Sequence, residues 1–280
     1  MTRPTPEIES RAAERLAKDE AAQGEMTGTG NPARRTNLTL GRAWRAFVAH
    51  PSPWLIGGVL VAAAVARGFV PRFSWTELVV PVALLALFPV IEWVVHVCIL
   101  HWKPRHLGKV AVDSLLARKH RAHHADPRDI PLVFIPWQVE LWLLPSYVVV
   151  ALLLFPDPAA GLSFLVAATG LMFGYEWVHY LVHSDYRPRS VWFRAVWRNH
   201  RLHHYKNEHY WFTVTTSGTA DRLFGTCPEP SGVQSSPTVK SLHDGDLDAA
   251  AGNPGRPGVE RSSQSAEPDF QLAQDVFQSP

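Results

Sequence analysis

Polar and apolar positions are segregated along this chain over distances much longer than a helical turn. Four apolar runs stand out: SPWLIGGVLVAAAVARGFV from Ser52, LVVPVALLALFPVIEWVVHVCIL from Leu78, LVFIPWQVELWLLPSYVVVALLLF from Leu132 and GLSFLVAATGLMFGYEWVHYLVH from Gly161. Each is near the roughly 20 residues that cross a bilayer as a helix. The connectors after the first and third runs, PRFSWTE and PDPAA, are short, which pairs the runs into two helical hairpins. Residues 1–36 and 229–280 are polar and rich in Pro, Gly, Ser and charge, so they read as disordered tails around a membrane domain at 37–228. The N-terminal tail has no short apolar stretch followed by a small-residue cleavage site, and it is expected to stay attached. The expected fold is all-α: an integral membrane protein with four transmembrane helices in two hairpins and a histidine-rich cap on the cytoplasmic side.

The placement of charge orients this arrangement. Lys and Arg crowd the N-terminal region, the loop from His101 to Pro131 and the segment after His183, while the two short connectors hold one Arg between them. The positive-inside rule then puts both termini and the long loop in the cytoplasm. Four such runs with this charge bias are hard to hide in the core of a soluble protein. A net charge of +2 carries no basic excess of the kind that suggests nucleic acid. The basic stretches Arg118 to Arg128 and Arg187 to Arg201 are first of all inside anchors, and they also offer a face for an acidic electron donor or lipid phosphates. The two cysteines, Cys98 and Cys227, form no C-x-x-C pattern or disulfide framework, and Cys98 lies within an apolar run as a packing residue.

The chemistry lies in the histidines. Of fourteen, ten fall at the cytoplasmic ends of spans or in cytoplasmic segments: His96 and His101, then His120, His123 and His124, then His179 and His183, then His200, His203 and His204. The two halves echo each other, since each hairpin ends in Glu-Trp with a histidine pair and is followed by H-x-x-H-H. Positions i, i+3 and i+4 share a helix face, so each triplet can converge on one point, as can His179 and His183. His96 and His101 lie about 140° apart on a straight helix, so they must straddle the site or the helix must end or deform between them.

Convergent neutral imidazoles are metal ligands first and proton relays second. A structural zinc takes four ligands and a catalytic zinc three, so ten histidines exceed one zinc ion. Two metals with about five protein ligands each account for the number, and an imidazole-rich site without thiolates suits iron, copper, nickel or zinc. Two irons would form an oxygen-activating centre, with zinc as a possible occupant in purified protein. Glu176-Trp-Val-His179 also matches the Glu-x-x-His motif of ferritin-like di-iron bundles. That pattern is incomplete here, because Glu92 is followed by histidine four residues on and Glu140 is the only other acid within the runs. Glu92 and Glu176 are expected instead to accept a ring N–H from a ligand, with Asp126, Asp185 and Asn199 as further candidates.

The order H-x4-H, H-x2-HH, H-x3-H, H-x2-HH, followed by TADRLFGT at Thr219 to Thr226, resembles the fatty acid hydroxylase superfamily of membrane di-iron enzymes. The likeness covers about Leu78 to Thr226, and the eighteen residues between His101 and His120 and the H-x3-H box are more similar to fatty acid hydroxylases than to carotenoid hydroxylases. The resemblance implies that His96, His101, His120, His123, His124, His179, His183, His200, His203 and His204 form the metal site, in which not every box histidine need touch a metal directly. It implies two Fe ions, O2 as co-substrate, and oxidation of a lipid C–H bond, with hydroxylation of a fatty acyl chain preferred. A sterol-type desaturase or methyl oxidase and a carotenoid ring hydroxylase share the same centre. The haem motif of a fused cytochrome b5 domain is missing, since the N-terminal region has only HPSP at His50. Electrons are therefore expected from a separate ferredoxin- or cytochrome b5-like donor with its reductase, alongside lipid substrate and membrane lipids as partners. His209 and His106 lie outside the boxes, and His50 and His243 are incidental. A proton or metal transporter would need histidines through the bilayer rather than at one side. A non-catalytic zinc protein would explain the ligands but not their number.

Overall fold

The computed structural model describes residues 38–242 apart from 72, 74, 108 and 109. Helix α1 (Leu40–Phe47) begins at Thr39, whose hydroxyl accepts the Arg42 N–H, and the chain then turns through 89° into α2 (Pro51–Gly68). The break follows from Pro51, which lacks an N–H and holds His50 extended at φ −90, ψ 153. Helix α3 (Thr76–Val95) runs directly into a π-helical turn, His96–Leu100. Helix α4 (Leu115–Ala125) starts at the Ser114 cap, α5 (Trp137–Leu154) follows a short 3₁₀ turn at Ile130–Leu132, and α6 (Pro158–His183) starts at Asp157 with Pro158 in its first turn. Helix α7 (Val191–Tyr205) is capped by Ser190, and α8 (Thr219–Leu223) is a single short helix near the end.

The long α6 is the axis of the bundle and packs on α2, α3 and α5. Phe47 ties α1 to it, buried among Trp44, Phe134, Phe173, Trp177 and Tyr180. The outward faces stay apolar: Val61, Val65, Leu85, Leu87, Leu152 and Leu153 are each more than half exposed. Such an exterior suits lipid rather than water. Acids within the helices face inward and are paired, Glu77 with Arg67 at 2.5 Å and Glu140 and Glu176 with the Ser52 hydroxyl between them.

Three of the four expected spans lie in stretches long and apolar enough to cross a membrane: Glu77–Leu100, Ile130–Leu154 and Pro158–His183. The fourth meets that measure only when α1 and α2 are taken together across their bend. The loop after His101 contains a short antiparallel hairpin of β1 (Arg105–Leu107) and β2 (Val110–Val112), with Arg105 opposite Val112. The expected tails at 1–36 and 243–280 lie outside the described residues, but 229–242 is packed rather than loose. Ser236 N–H reaches the Lys206 carbonyl, the Ser236 and Thr238 hydroxyls donate to the buried Glu208, and Leu242 is fully buried. A polar composition hid this packing, because the hydroxyls that suggested disorder are the groups that satisfy Glu208.

Candidate metal centre

The ten box histidines gather into two buried groups of five, with the potential ligand atoms in each group within 4.8 Å of one another. The first holds His96, His101, His120, His124 and His203; the second holds His123, His179, His183, His200 and His204. Each H-x-x-H-H triplet is divided. Helix α4 gives its i, i+4 pair, His120 and His124, to the first group and sends His123 to the second; α7 gives His200 and His204 to the second group and sends His203 to the first. The expected convergence of each triplet on one point is thus corrected. One helix face does carry all three rings, but the face is wide enough to border two sites. The groups are adjacent, with the His124 and His204 rings 4.2 Å apart between centroids.

The π-helical turn resolves the spacing of His96 and His101. The His101 N–H bonds to the His96 carbonyl at 3.0 Å, five residues back, and this wider turn brings the two rings to 5.0 Å. In the second half a regular helix suffices, since His179 and His183 are already one turn apart.

Backbone carbonyls orient several rings. Nδ1 of His96 donates to Phe212 at 2.6 Å, His203 to Tyr210 at 2.8 Å, His124 to Val239 at 3.1 Å and His179 to Val133 at 3.0 Å. A carbonyl only accepts, so a neutral ring bonded in this way carries its proton on Nδ1 and presents the Nε2 lone pair. Burial pushes His120, His123, His124, His200 and His204 well below the usual histidine range, helped by neighbouring imidazoles, and His203 down to about 4. Neutral rings are the form that binds metal.

Those facts test whether a metal belongs here. Nε2 atoms face each other at 3.1 Å for His96 and His120, 3.2 Å for His101 and His203, 3.1 Å for His179 and His200, and 3.0 Å for His204 and His200. In the second group His200 Nε2 meets His179, His183 and His204, yet it has at most one proton to donate. So many converging lone pairs are repulsive unless a cation lies among them. Two imidazoles on one metal at bonds of roughly 2.0–2.1 Å and a right angle would stand about 3.0 Å apart, which is the spacing found. The donor set therefore fits two metal ions.

The expectation that Glu92 and Glu176 accept a ring N–H is corrected, because both act one step further out. Glu92 accepts the Val214 and Thr215 N–H groups at 2.6 and 2.8 Å and the Thr215 hydroxyl at 2.9 Å, and the carbonyl two residues before Val214 is Phe212, the partner of His96. Glu176 accepts the Ile135 N–H at 2.9 Å, and the carbonyl two residues before Ile135 is Val133, the partner of His179. Asp126 accepts the Arg128 N–H, Asp185 faces Arg128 at 3.5 Å, and Asn199 is buried on α7.

TADRLFGT proves to be the brace of the 210–213 segment. Asp221 accepts the Phe212 and Thr213 N–H groups at 2.8 and 2.9 Å and the Thr213 hydroxyl, while the Thr226 carbonyl accepts the Trp211 N–H at 2.8 Å. Burial raises Asp221 above its ordinary value. Between the two carbonyls that orient His203 and His96 sits buried Trp211 at φ 57, a left-handed backbone that turns both inward. Tyr210, Phe212, Val133 and Val239 act through backbone atoms, which leave no side-chain signal in the sequence. Of the remaining histidines, His209 is 3.7 Å from Glu208 and half-exposed outside both groups, and His50 stacks on Phe134 at 4.0 Å. The side chain of His106 and all of His243 lie outside the described residues.

A cavity of ≈ 50 Å³ reaches both groups, lined by His120, His123 and His179 with Leu100, Leu116, Leu132 and Tyr175. It adjoins a larger one of ≈ 240 Å³ through shared walls at Lys119, Phe134 and Ile135, extending to His50 and Trp137.

No curated protein matches the chain. A solved structure titled full-length Scs7p, in which only the hydroxylase domain is visible, matches with a TM-score of 0.52 at 21% identity, over 66% of this chain and 70% of the other. That likeness supports the fold. Residues 81–226, just over half of the sequence and containing all ten clustered histidines, match the fatty acid hydroxylase family. By its apolar helices and this match, the chain is a membrane protein that belongs to the fatty acid hydroxylase family.

Proposed function

We propose that the protein is a non-haem di-iron oxidoreductase that hydroxylates a fatty acyl chain with O2. The reading is carried by one observation: two buried five-histidine groups lie side by side at the end of an apolar cavity. A pair of iron ions held by these ten imidazoles would supply reductive activation of dioxygen and oxidation of an unactivated C–H bond. The protein's own contribution is positional. Carbonyls of Tyr210, Phe212, Val133 and Val239 hold their rings in the lone-pair-inward tautomer. Leu100, Leu116, Leu132 and Tyr175 form walls that exclude water and accept an acyl chain beside His120, His123 and His179. Side chains that are not easily oxidised beyond repair suit this role, since the described ligand groups contain no cysteine or methionine.

The site lies at the cytoplasmic surface of the membrane in this proposal, because the Lys- and Arg-rich segments flank the box-bearing ends of the helices. A lipid substrate enters from the bilayer while a separate ferredoxin- or cytochrome b5-like donor docks on the basic water-facing side. Protein purified without oxygen is expected to hold about two irons per chain. With reductant and 18O2 it should add one labelled oxygen to an acyl lipid, read by mass spectrometry, and His203→Ala should abolish the product. Stoichiometric zinc, no iron and no lipid oxidation would overturn the proposal.

A further inference from the structure

The two histidine groups are supported differently. In the first, three of five rings have Nδ1 bonded to a carbonyl, at Phe212, Val239 and Tyr210. In the second, His179 is bonded to Val133, whereas the buried Nδ1 atoms of His123, His200 and His204 have no hydrogen-bond partner among the described residues. A ring without a partner can turn, and it can also take the tautomer that points a proton where the ion must sit. Ordering it is then part of the free energy of binding. One outer partner typically changes metal affinity by roughly 10- to 100-fold.

One support of the first group also comes from beyond the family match, which ends at residue 226: the 234–242 strap, held on Glu208 by Ser236 and Thr238, brings in the Val239 carbonyl.

We propose that the two groups are unequal metal sites, with the His96, His101, His120, His124 and His203 group taking the tighter ion and the second group the exchangeable one. The inference rests on the ten histidines being metal ligands, as proposed above. Metal-free full-length protein would be titrated with Co2+, following its ligand-field absorption, and crystals grown with one equivalent would be imaged by anomalous scattering at the cobalt edge. Two binding steps alone are not sufficient, because repulsion between two cations also separates them. Location decides: we expect the first equivalent in the first group, favoured at least about tenfold. Equal occupancy, or the reverse order, overturns the inequality while leaving the di-metal reading intact, and no bound cobalt overturns both. As an independent measure, His183→Ala should keep one tight ion and His101→Ala should keep only the weaker. The wild-type anomalous map remains decisive if either variant fails to fold.

Discussion

The α3 half and the α6 half solve one problem with different parts. Each places a Glu-Trp before its first clustered histidine, each Glu fastens a loop through backbone N–H, and a carbonyl two residues earlier in that loop accepts from the histidine. In the α6 half the loop is near in sequence, the Glu accepts one N–H, and a regular helix aligns both histidines. In the α3 half the loop arrives from more than a hundred residues away, Glu92 accepts three donors, and a π-helical turn is needed to bring in His101. The orienting carbonyl is common to both halves, whereas helix spacing is adjustable. A ring's tautomer must be correct for binding, but several backbone geometries can deliver the ring.

Substitutions can separate the halves. The largest effect is expected for Glu92→Leu, since it removes the carboxylate oxygen that accepts both the Val214 and Thr215 N–H groups. Leaving buried N–H groups unpaired should destabilise the protein by about 2 kcal/mol or more and lower metal affinity at least about tenfold, measured by denaturation and by metal analysis after equilibrium dialysis. Next is Thr226→Val, which removes the hydroxyl bonded to Trp93 Nε1 and to Asp221 and loosens the brace behind Phe212. A loss of about 1–2 kcal/mol is expected in the same unfolding assay, with metal binding falling less than for Glu92→Leu. The smallest effect is expected for Glu176→Gln, because the amide oxygen can still accept the Ile135 N–H. Stability should change by less than about 1 kcal/mol and metal content should be retained. If Glu176→Leu were as damaging as Glu92→Leu, the contrast between a clamp on one backbone N–H group and a clamp on two would fail.

Much of the site was legible because its parts are side chains with unusual composition. The box spacing of His120, His123 and His124 and of His200, His203 and His204 marked candidate ligands, and the structure gathers them with the span-end histidines. The problem of His96 and His101 was visible as a spacing conflict, and a deformed helix was one of the two anticipated outcomes. The roles of Glu92 and Glu176 were displaced by one step, because a carboxylate near a ligand histidine in sequence says nothing about a loop folded between them. The packing of 234–242 leaves little mark in the sequence, since Ser236 and Thr238 look like tail residues until buried Glu208 is placed beneath them.

By itself, the sequence determined the helical membrane character, through apolar runs whose length matches a bilayer, and the inventory of candidate ligands, through residue types that have few other reasons to cluster. Tertiary structure alone decided how each triplet is split between two sites, which carbonyl turns which ring, and which group is better supported. Those choices depend on the relative placement of α4, α7 and the 210–213 strap, and on backbone atoms that every residue shares, so no residue identity could encode them locally.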